Sequence, residues 1–289
     1  MFHGSIVALV TPFKNGDIDK KKLEELVEFQ ITKGTHAIVP CGTTGESATM
    51  SHEEDKFVAK LVVEIVNKRV PVIAGTGSNN FNEALCLTEA AHKNGADAVL
   101  VVTPYYNKPT QEGLYQHYKK LAESVNIPIV MYNVPGRTSV NMLPETIIRL
   151  AQIPNIVAVK DATGNVENAM KVLRSSPNFT VLSGDDALTL PMMALGAKGV
   201  ISVAANVIPA QMADLTELML KGDIEGARKI HYKYMDLMNA LFYETNPIPV
   251  KAALHMMGMI SDEIRLPLLP MSEEPKIRLK AEMKEVSLL

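Results

Sequence analysis

One unit recurs along the chain: a short run rich in Val, Ile and Ala, a loop of Gly, Thr, Asn and Pro, then an amphipathic helix that ends in glycine. The runs are Ser5–Val10, His36–Pro40, Pro71–Ala74, Asp97–Val102, Pro128–Tyr132, Ile156–Lys160, Phe179–Leu182 and Gly199–Val203. They lack apolar-polar alternation, as parallel strands covered on both faces should. Gly34-Thr35-His36-Ala37, Gly95-Ala96-Asp97-Ala98 and Gly196-Ala197-Lys198-Gly199 repeat one helix-to-strand turn. Helix ends are also readable. Ser51 and Glu54 form a capping box before the stripe Phe57, Val58, Leu61, Val62 and Ile65. Asp19 caps the helix of Leu23, Leu26, Val27 and Ile31, and Gly34 stops it. Pro144 suits the first turn after Leu143. Eight such units predict a (β/α)8 TIM barrel rather than a doubly wound sheet, which has fewer strands and carries a phosphate fingerprint. After Gly222 only helical patterns follow, over Ile224–Tyr243, Pro249–Met259 and Pro275–Val286. The expected division is therefore a barrel over 1–222 and a C-terminal helical extension over 223–289.

A chain of 289 residues, 47% hydrophobic, can bury the core such a barrel needs. Lys+Arg 29 against Asp+Glu 32 leaves a net charge of -3, so nothing global draws it to nucleic acid or an anionic membrane. The partner to expect is a small molecule or another copy of the chain. Ile6–Val10 is too short for a signal-peptide core and no run reaches transmembrane length, which points to the cytoplasm. Cys41 and Cys86 have no disulfide framework or metal-ligand spacing and read as reduced thiols. The seven histidines include no H-x-H or H-E-x-x-H, so no metal is expected. Ser47 lacks the G-x-S-x-G elbow, Asn80 stands where the third glycine of a dinucleotide fingerprint belongs, and no Walker A motif occurs. No cofactor is implied.

In a barrel of this kind the chemistry sits at the C-terminal ends of the strands. There the chain places Cys41-Gly42-Thr43-Thr44-Gly45-Glu46-Ser47, whose glycines let backbone N–H groups converge on an anion. Next come Thr103-Pro104-Tyr105-Tyr106-Asn107, then Tyr132-Asn133-Val134-Pro135-Gly136-Arg137-Thr138, and finally Lys160 closing an apolar strand. Each has a plain explanation: a Gly-rich turn, half-buried phenols, a solvated arginine, a lysine reaching for water. Together they bring to one mouth an anion cradle, two acid-base phenols, a carboxylate-binding cation and an amine whose desolvation favours the nucleophilic form.

Gly42-Thr43-Thr44-Gly45-Glu46, Tyr132 to Thr138 and Val159-Lys160-Asp161-Ala162-Thr163-Gly164 resemble the signatures of the 4-hydroxy-tetrahydrodipicolinate synthase (dihydrodipicolinate synthase) family, of the pyruvate-dependent class I aldolases. Leu182 to Asp186, Gly199 to Val203 and Asn246 to Lys251 also match, so the likeness runs end to end. It implies that Lys160 forms a Schiff base with pyruvate, whose carboxylate lies against Thr43 and Thr44 with Ile201 on the far wall and Gly184 among the substrate-binding positions. Tyr132 would pass protons through Thr44 to Tyr106, which in the family enters from a neighbouring subunit of a homotetramer built as a dimer of dimers. Arg137 would hold L-aspartate-4-semialdehyde, and the product would be 4-hydroxy-tetrahydrodipicolinate, in the diaminopimelate route to lysine. Asp161 stands where Glu is frequent and should point to the opposite face of its strand.

The resemblance also marks Ser47, Ala48, His52, Asn79, Glu83 and Tyr105 as the positions of a lysine effector site. Asp55 departs from it, since lysine-responsive bacterial members often carry histidine there; as an acid it could still assist a cationic effector. Two other readings stay open. One is a different pyruvate aldolase, such as N-acetylneuraminate lyase or a keto-deoxy sugar acid aldolase, which would keep Lys160, Tyr132 and Thr43-Thr44 but lack a reason for Arg137 and Tyr105-Tyr106. The other is a non-catalytic ligand-binding barrel.

Overall fold

In the computed structural model, which describes residues 2–289, every predicted apolar run forms a strand. These are β1 (Gly4–Ala8), β2 (Ala37–Val39), β3 (Ile73–Gly75), β4 (Ala98–Val102), β5 (Ile129–Asn133), β6 (Ile156–Asp161), β7 (Thr180–Ser183) and β8 (Gly199–Ser202). All pair in parallel with their sequence neighbours, and β8 returns to β1 through Gly4–Gly199 and Ile6–Ile201. Between β2 and β3 the ring closes through a parallel bridge from Ile38 to Val72, with Ile38 N donating to Pro71 O at 3.0 Å and Gly75 N to Pro40 O at 2.9 Å. The sheet is a closed eight-stranded barrel. Its β8–β1 seam requires glycine, since a Cβ on Gly199 would lie 2.1 Å from Gly4 O.

Strand parity separates two cores. Ile6, Ala8, Val39, Leu100, Val130, Tyr132, Ala158, Leu182 and Ile201 fill the barrel interior. Their odd-even partners Val7, Val99, Val101, Ile129, Met131, Val159, Val181 and Val200 face the surrounding helices. Because Lys160 shares the parity of Ala158, it points inward with Tyr132 and Ile201. Asp161 points outward, as expected, and its carboxylate accepts from Thr163 N at 2.9 Å and Thr163 Oγ1 at 2.7 Å.

The outer helices are α1 (Lys20–Thr32), α2 (His52–Val66), α3 (Phe81–Lys93), α4 (Gln111–Ser124), α5 (Pro135–Thr138), α6 (Pro144–Leu150), α7 (Val166–Ser175), α8 (Thr189–Ala194) and α9 (Pro209–Leu220). The caps fall where the sequence places them. Asp19 accepts from Lys22 N at 3.1 Å, Ser51 and Glu54 complete a reciprocal box, and Pro144 opens α6; each side-chain cap contributes about 1 kcal/mol.

The extension consists of α10 (Ile224–Ala240), α11 (Ile248–Met256) and α12 (Glu273–Glu285). Its Leu237, Met238, Val250 and Leu254 belong to the same apolar cluster as Val7 and Leu9, so it packs as part of the barrel's outer layer. The sequence reading did not anticipate a two-stranded ribbon, Phe13–Lys14 with Asp17–Ile18, turning on Asn15 and Gly16 at φ 55° and 85°.

Candidate active site

Lys160 and Tyr132 are paired residues of adjacent strands, so the register of β5 on β6 sets them side by side. The Lys160 ammonium lies 4.2 Å from the centre of the Tyr132 ring, and both residues are buried, at 5% and 7% exposure. The ring's electron density attracts an ammonium on its face, so the contact holds the Lys160 side chain at a fixed place in the barrel interior. Gly184, after β7, completes this wall. A Cβ there would meet Lys160 Cε at 3.1 Å and Ala162 Cβ at 2.7 Å, so glycine leaves the amine its room. Ile201 lines the same interior from β8.

The loop after β2 supplies the cradle. Cys41 and Glu46 bracket it in the left-handed region, at φ 57° each, and Glu46 N donates to Thr43 O at 3.1 Å. Among the described residues the backbone N–H groups of Thr43 and Thr44 donate to nothing, leaving two donors for an anion. Thr44 is buried, and its Oγ1 accepts from Asn246 Nδ2 at 3.0 Å. With that lone pair engaged, the Thr44 hydroxyl proton is available to a neighbour. Asn246 O in turn accepts from Arg137 Nη2 at 3.1 Å, so one residue of the extension joins the cradle to the arginine. Asn246 was noted in the sequence only as part of a motif; its place at the mouth depends on a contact 202 residues away in the chain.

The structure thus brings together Lys160, Tyr132, Gly184 and Ile201, and separately links Thr44 to Arg137. Arg137 itself is exposed, on the single turn α5. Tyr106 stands apart: it is 89% exposed, holds φ 68°, and its hydroxyl has no hydrogen-bond partner among the described residues of the chain.

Beneath the cradle lies a buried ion pair that the sequence reading did not find. Glu46 is paired with Lys251 of α11, and both side chains are almost wholly inaccessible. Lys251 also donates to Thr11 O at 3.1 Å and lies 4.4 Å from the centre of the Phe13 ring. Burial pulls the Lys251 ammonium below its ordinary pKa, and the charge of Glu46 opposes that pull.

Of the effector positions, Ser47 and Ala48 occupy a single 3-10 turn, and His52 Nε2 lies 3.8 Å from Glu83 Oε2. Glu83 also accepts from Ser78 Oγ at 2.7 Å, Asn79 O accepts from Asn107 Nδ2 at 2.9 Å, and Tyr105 is partly exposed beside them. Asp55 turns inward instead. It is buried against Cys41, whose Sγ donates to Asp55 O at 3.3 Å, and its Oδ1 has no hydrogen-bond partner among the described residues. Burial raises its carboxyl to about 7, with the Cys41 contact opposing and Glu54 adding to the rise. An inward carboxyl is not placed to meet an effector at the surface.

Among the described residues no cluster of His, Cys, Asp or Glu could hold a metal ion, and no helix is long and apolar enough to cross a membrane.

The chain is 61% identical over its whole length to the full-length 4-hydroxy-tetrahydrodipicolinate synthase of Geobacter sulfurreducens. It superposes with a TM-score of 0.98 on dihydrodipicolinate synthase from Aquifex aeolicus, at 52% identity and 99% coverage of each chain. The chloride-inhibited enzyme from Acinetobacter baumannii, complexed with pyruvate, matches with a TM-score of 0.98 at 50% identity over 100% of both chains. The model of the dihydrodipicolinate synthetase family matches residues 1–286, and the chain belongs to that family.

Proposed function

We infer that Lys160 forms the Schiff base on which this enzyme's condensation of pyruvate with L-aspartate-4-semialdehyde runs. The observation that carries this is the buried Lys160 amine against the face of Tyr132, inside a barrel lined with apolar side chains. The neutral amine attacks the ketone of pyruvate. Water leaves as the imine forms, and the imine acidifies the pyruvate methyl group so that loss of a proton yields an enamine. The enamine carbon adds to the aldehyde of the second substrate. The amine of that substrate then displaces Lys160 and closes the ring, giving 4-hydroxy-tetrahydrodipicolinate and the free enzyme.

The other residues divide the work. Thr43 and Thr44 N–H receive the pyruvate carboxylate, and a pyruvate complex of a solved relative supports pyruvate as the first substrate. Tyr132 supplies and accepts protons at the reacting carbon, with the Thr44 hydroxyl as its neighbour in the relay. Arg137, tethered to Asn246 O, binds the carboxylate of the semialdehyde bidentately. Gly184 leaves space beside Lys160, and Ile201 closes the apolar wall.

Tyr106 completes the relay from a second copy of the chain, which is why its ring is exposed and unbonded within one chain. The working assembly is then a homotetramer, a dimer of dimers, in the cytoplasm. At the effector positions, Glu83 beside His52 would pair the ammonium of lysine, with Ser47, Ala48, Asn79 and Tyr105 around it. The test is direct: the protein is assayed with pyruvate plus aspartate semialdehyde and, separately, with sugar acids. Condensation in the first and no cleavage in the second is expected; cleavage without condensation would reject the reading.

A further inference from the structure

A closed ring of contacts lies under the anion cradle and is made by three distant segments. Thr11, just past β1, donates its hydroxyl to Gly45 O at 2.7 Å and accepts at its own carbonyl from Lys251 Nζ at 3.1 Å. Lys251 is paired with Glu46, the residue after Gly45, and the other Glu46 oxygen accepts from Arg265 N at 3.2 Å. Arg265 then grips Glu54 of α2 with two bonds, at 2.7 and 3.0 Å, and lies 4.2 Å from the centre of the Phe13 ring. Thr11, Glu46 and Lys251 are all buried.

Two facts suggest that this ring sets geometry. A well-packed apolar pair would serve stability as well as a buried ion pair does, so what the charges add is direction. And Glu46 is held in the left-handed region, which side chains other than glycine seldom adopt, two residues after Thr44.

We propose that Glu46 and Lys251 are a positioning pair, which locks the loop from Gly42 to Glu46 so that the Thr43 and Thr44 N–H groups converge on the carboxylate of the ketone substrate. The pair touches no substrate. It acts through the loop, and its contribution is to selective binding of a keto acid over a plain ketone. The proposal rests on the reading of Thr43-Thr44 as the carboxylate cradle.

The test uses the full-length protein and the double variant Glu46→Gln/Lys251→Met, which removes both charges and keeps the volumes similar. Glu46→Asp is studied in parallel; it keeps the charge and shortens the reach. Borohydride trapping on Lys160 is measured with pyruvate and with acetone, which has the ketone but no carboxylate. In both variants the pyruvate KM should rise, by about tenfold for the double variant and about fivefold for E46D, while kcat stays within about threefold and acetone trapping is unchanged. If the double variant fails to fold, E46D decides. A pyruvate KM within about twofold of the unmodified protein overturns the proposal, as does a parallel loss of acetone trapping, which would mean general disruption. Failure of the unmodified protein to form a pyruvate adduct on Lys160 would instead overturn the reading beneath it.

Discussion

Replacing Gly184 with alanine adds one methyl group against Lys160. That Cβ would sit 2.7 Å from Ala162 Cβ, 3.1 Å from Asp161 O and 3.1 Å from Lys160 Cε. Carbon atoms pack comfortably at about 3.5–4.0 Å, so the shortfall against Lys160 Cε is roughly 0.4–0.9 Å. Ala162 cannot easily retreat, because its N donates to Asn133 O at 2.9 Å and Gly184 N donates to Asp161 O at 2.7 Å. The Gly184 backbone must therefore ease away from Ala162, and Lys160 Cε, near the free end of its side chain, is displaced with it. A misplacement of about 1 Å costs on the order of a hundredfold in rate, so a shift of about half that predicts a loss near tenfold in kcat/KM. The overpacking also costs about 1–3 kcal/mol of stability, which should lower Tm by a few degrees. Steady-state kinetics, a thermal melt and rapid-quench borohydride trapping on the same preparation separate these effects: slower imine formation is expected with Tm only modestly reduced. A variant with lowered Tm and unchanged imine formation would show that Gly184 supports the fold and does not shape the lysine's position.

Asp55→Asn tests the buried carboxyl. Its folded pKa of about 7 lies above the ordinary 3.8, so Asp55 favours the folded state fully below about pH 4 and progressively less as pH rises toward 7, by at most about 4 kcal/mol. The Tm of D55N minus that of the unmodified protein should therefore increase from pH 5 to pH 7 and level off by pH 8; a difference flat with pH rejects the assignment. Asn246→Ala removes the donor to Thr44 and should lower kcat by about tenfold with a smaller effect on pyruvate KM; unchanged kcat would separate Asn246 from the relay. Tyr106→Phe and Tyr132→Phe should each be nearly inactive alone, while mixing and reassembling them should restore up to about a quarter of the sites if Tyr106 crosses a two-fold interface. No recovery after subunit exchange would place Tyr106 in its own chain's site.

The parts of this protein that were legible in its sequence share one property: they are written locally. A parallel strand is an unbroken apolar run, a cap is two residues three apart, and both survive reading through a short window, as Ser51 with Glu54 shows. Lys160 and Tyr132 were found because barrel geometry collects strand ends at one mouth. The Asn15-Gly16 ribbon carried a standard hairpin signal, but its strands are two residues each, too short to register as runs. Asn246 over Thr44 and Lys251 on Glu46 were invisible for another reason. They join positions 202 and 205 residues apart, and no periodicity encodes how the segment from Asn246 into α11 meets the barrel mouth. Asp55 read as an acid that could assist a cationic effector, yet the packing of α2 turns it against Cys41.

The central claim is that Lys160 is the nucleophile. It is tested most directly by reducing the protein with borohydride in the presence of pyruvate and mapping the modified peptide by mass. The account predicts a single pyruvate-derived adduct on Lys160, lost in Lys160→Met and formed in Tyr132→Phe only slowly. An unmodified Lys160, or an adduct carried by another lysine such as Lys251, would contradict it.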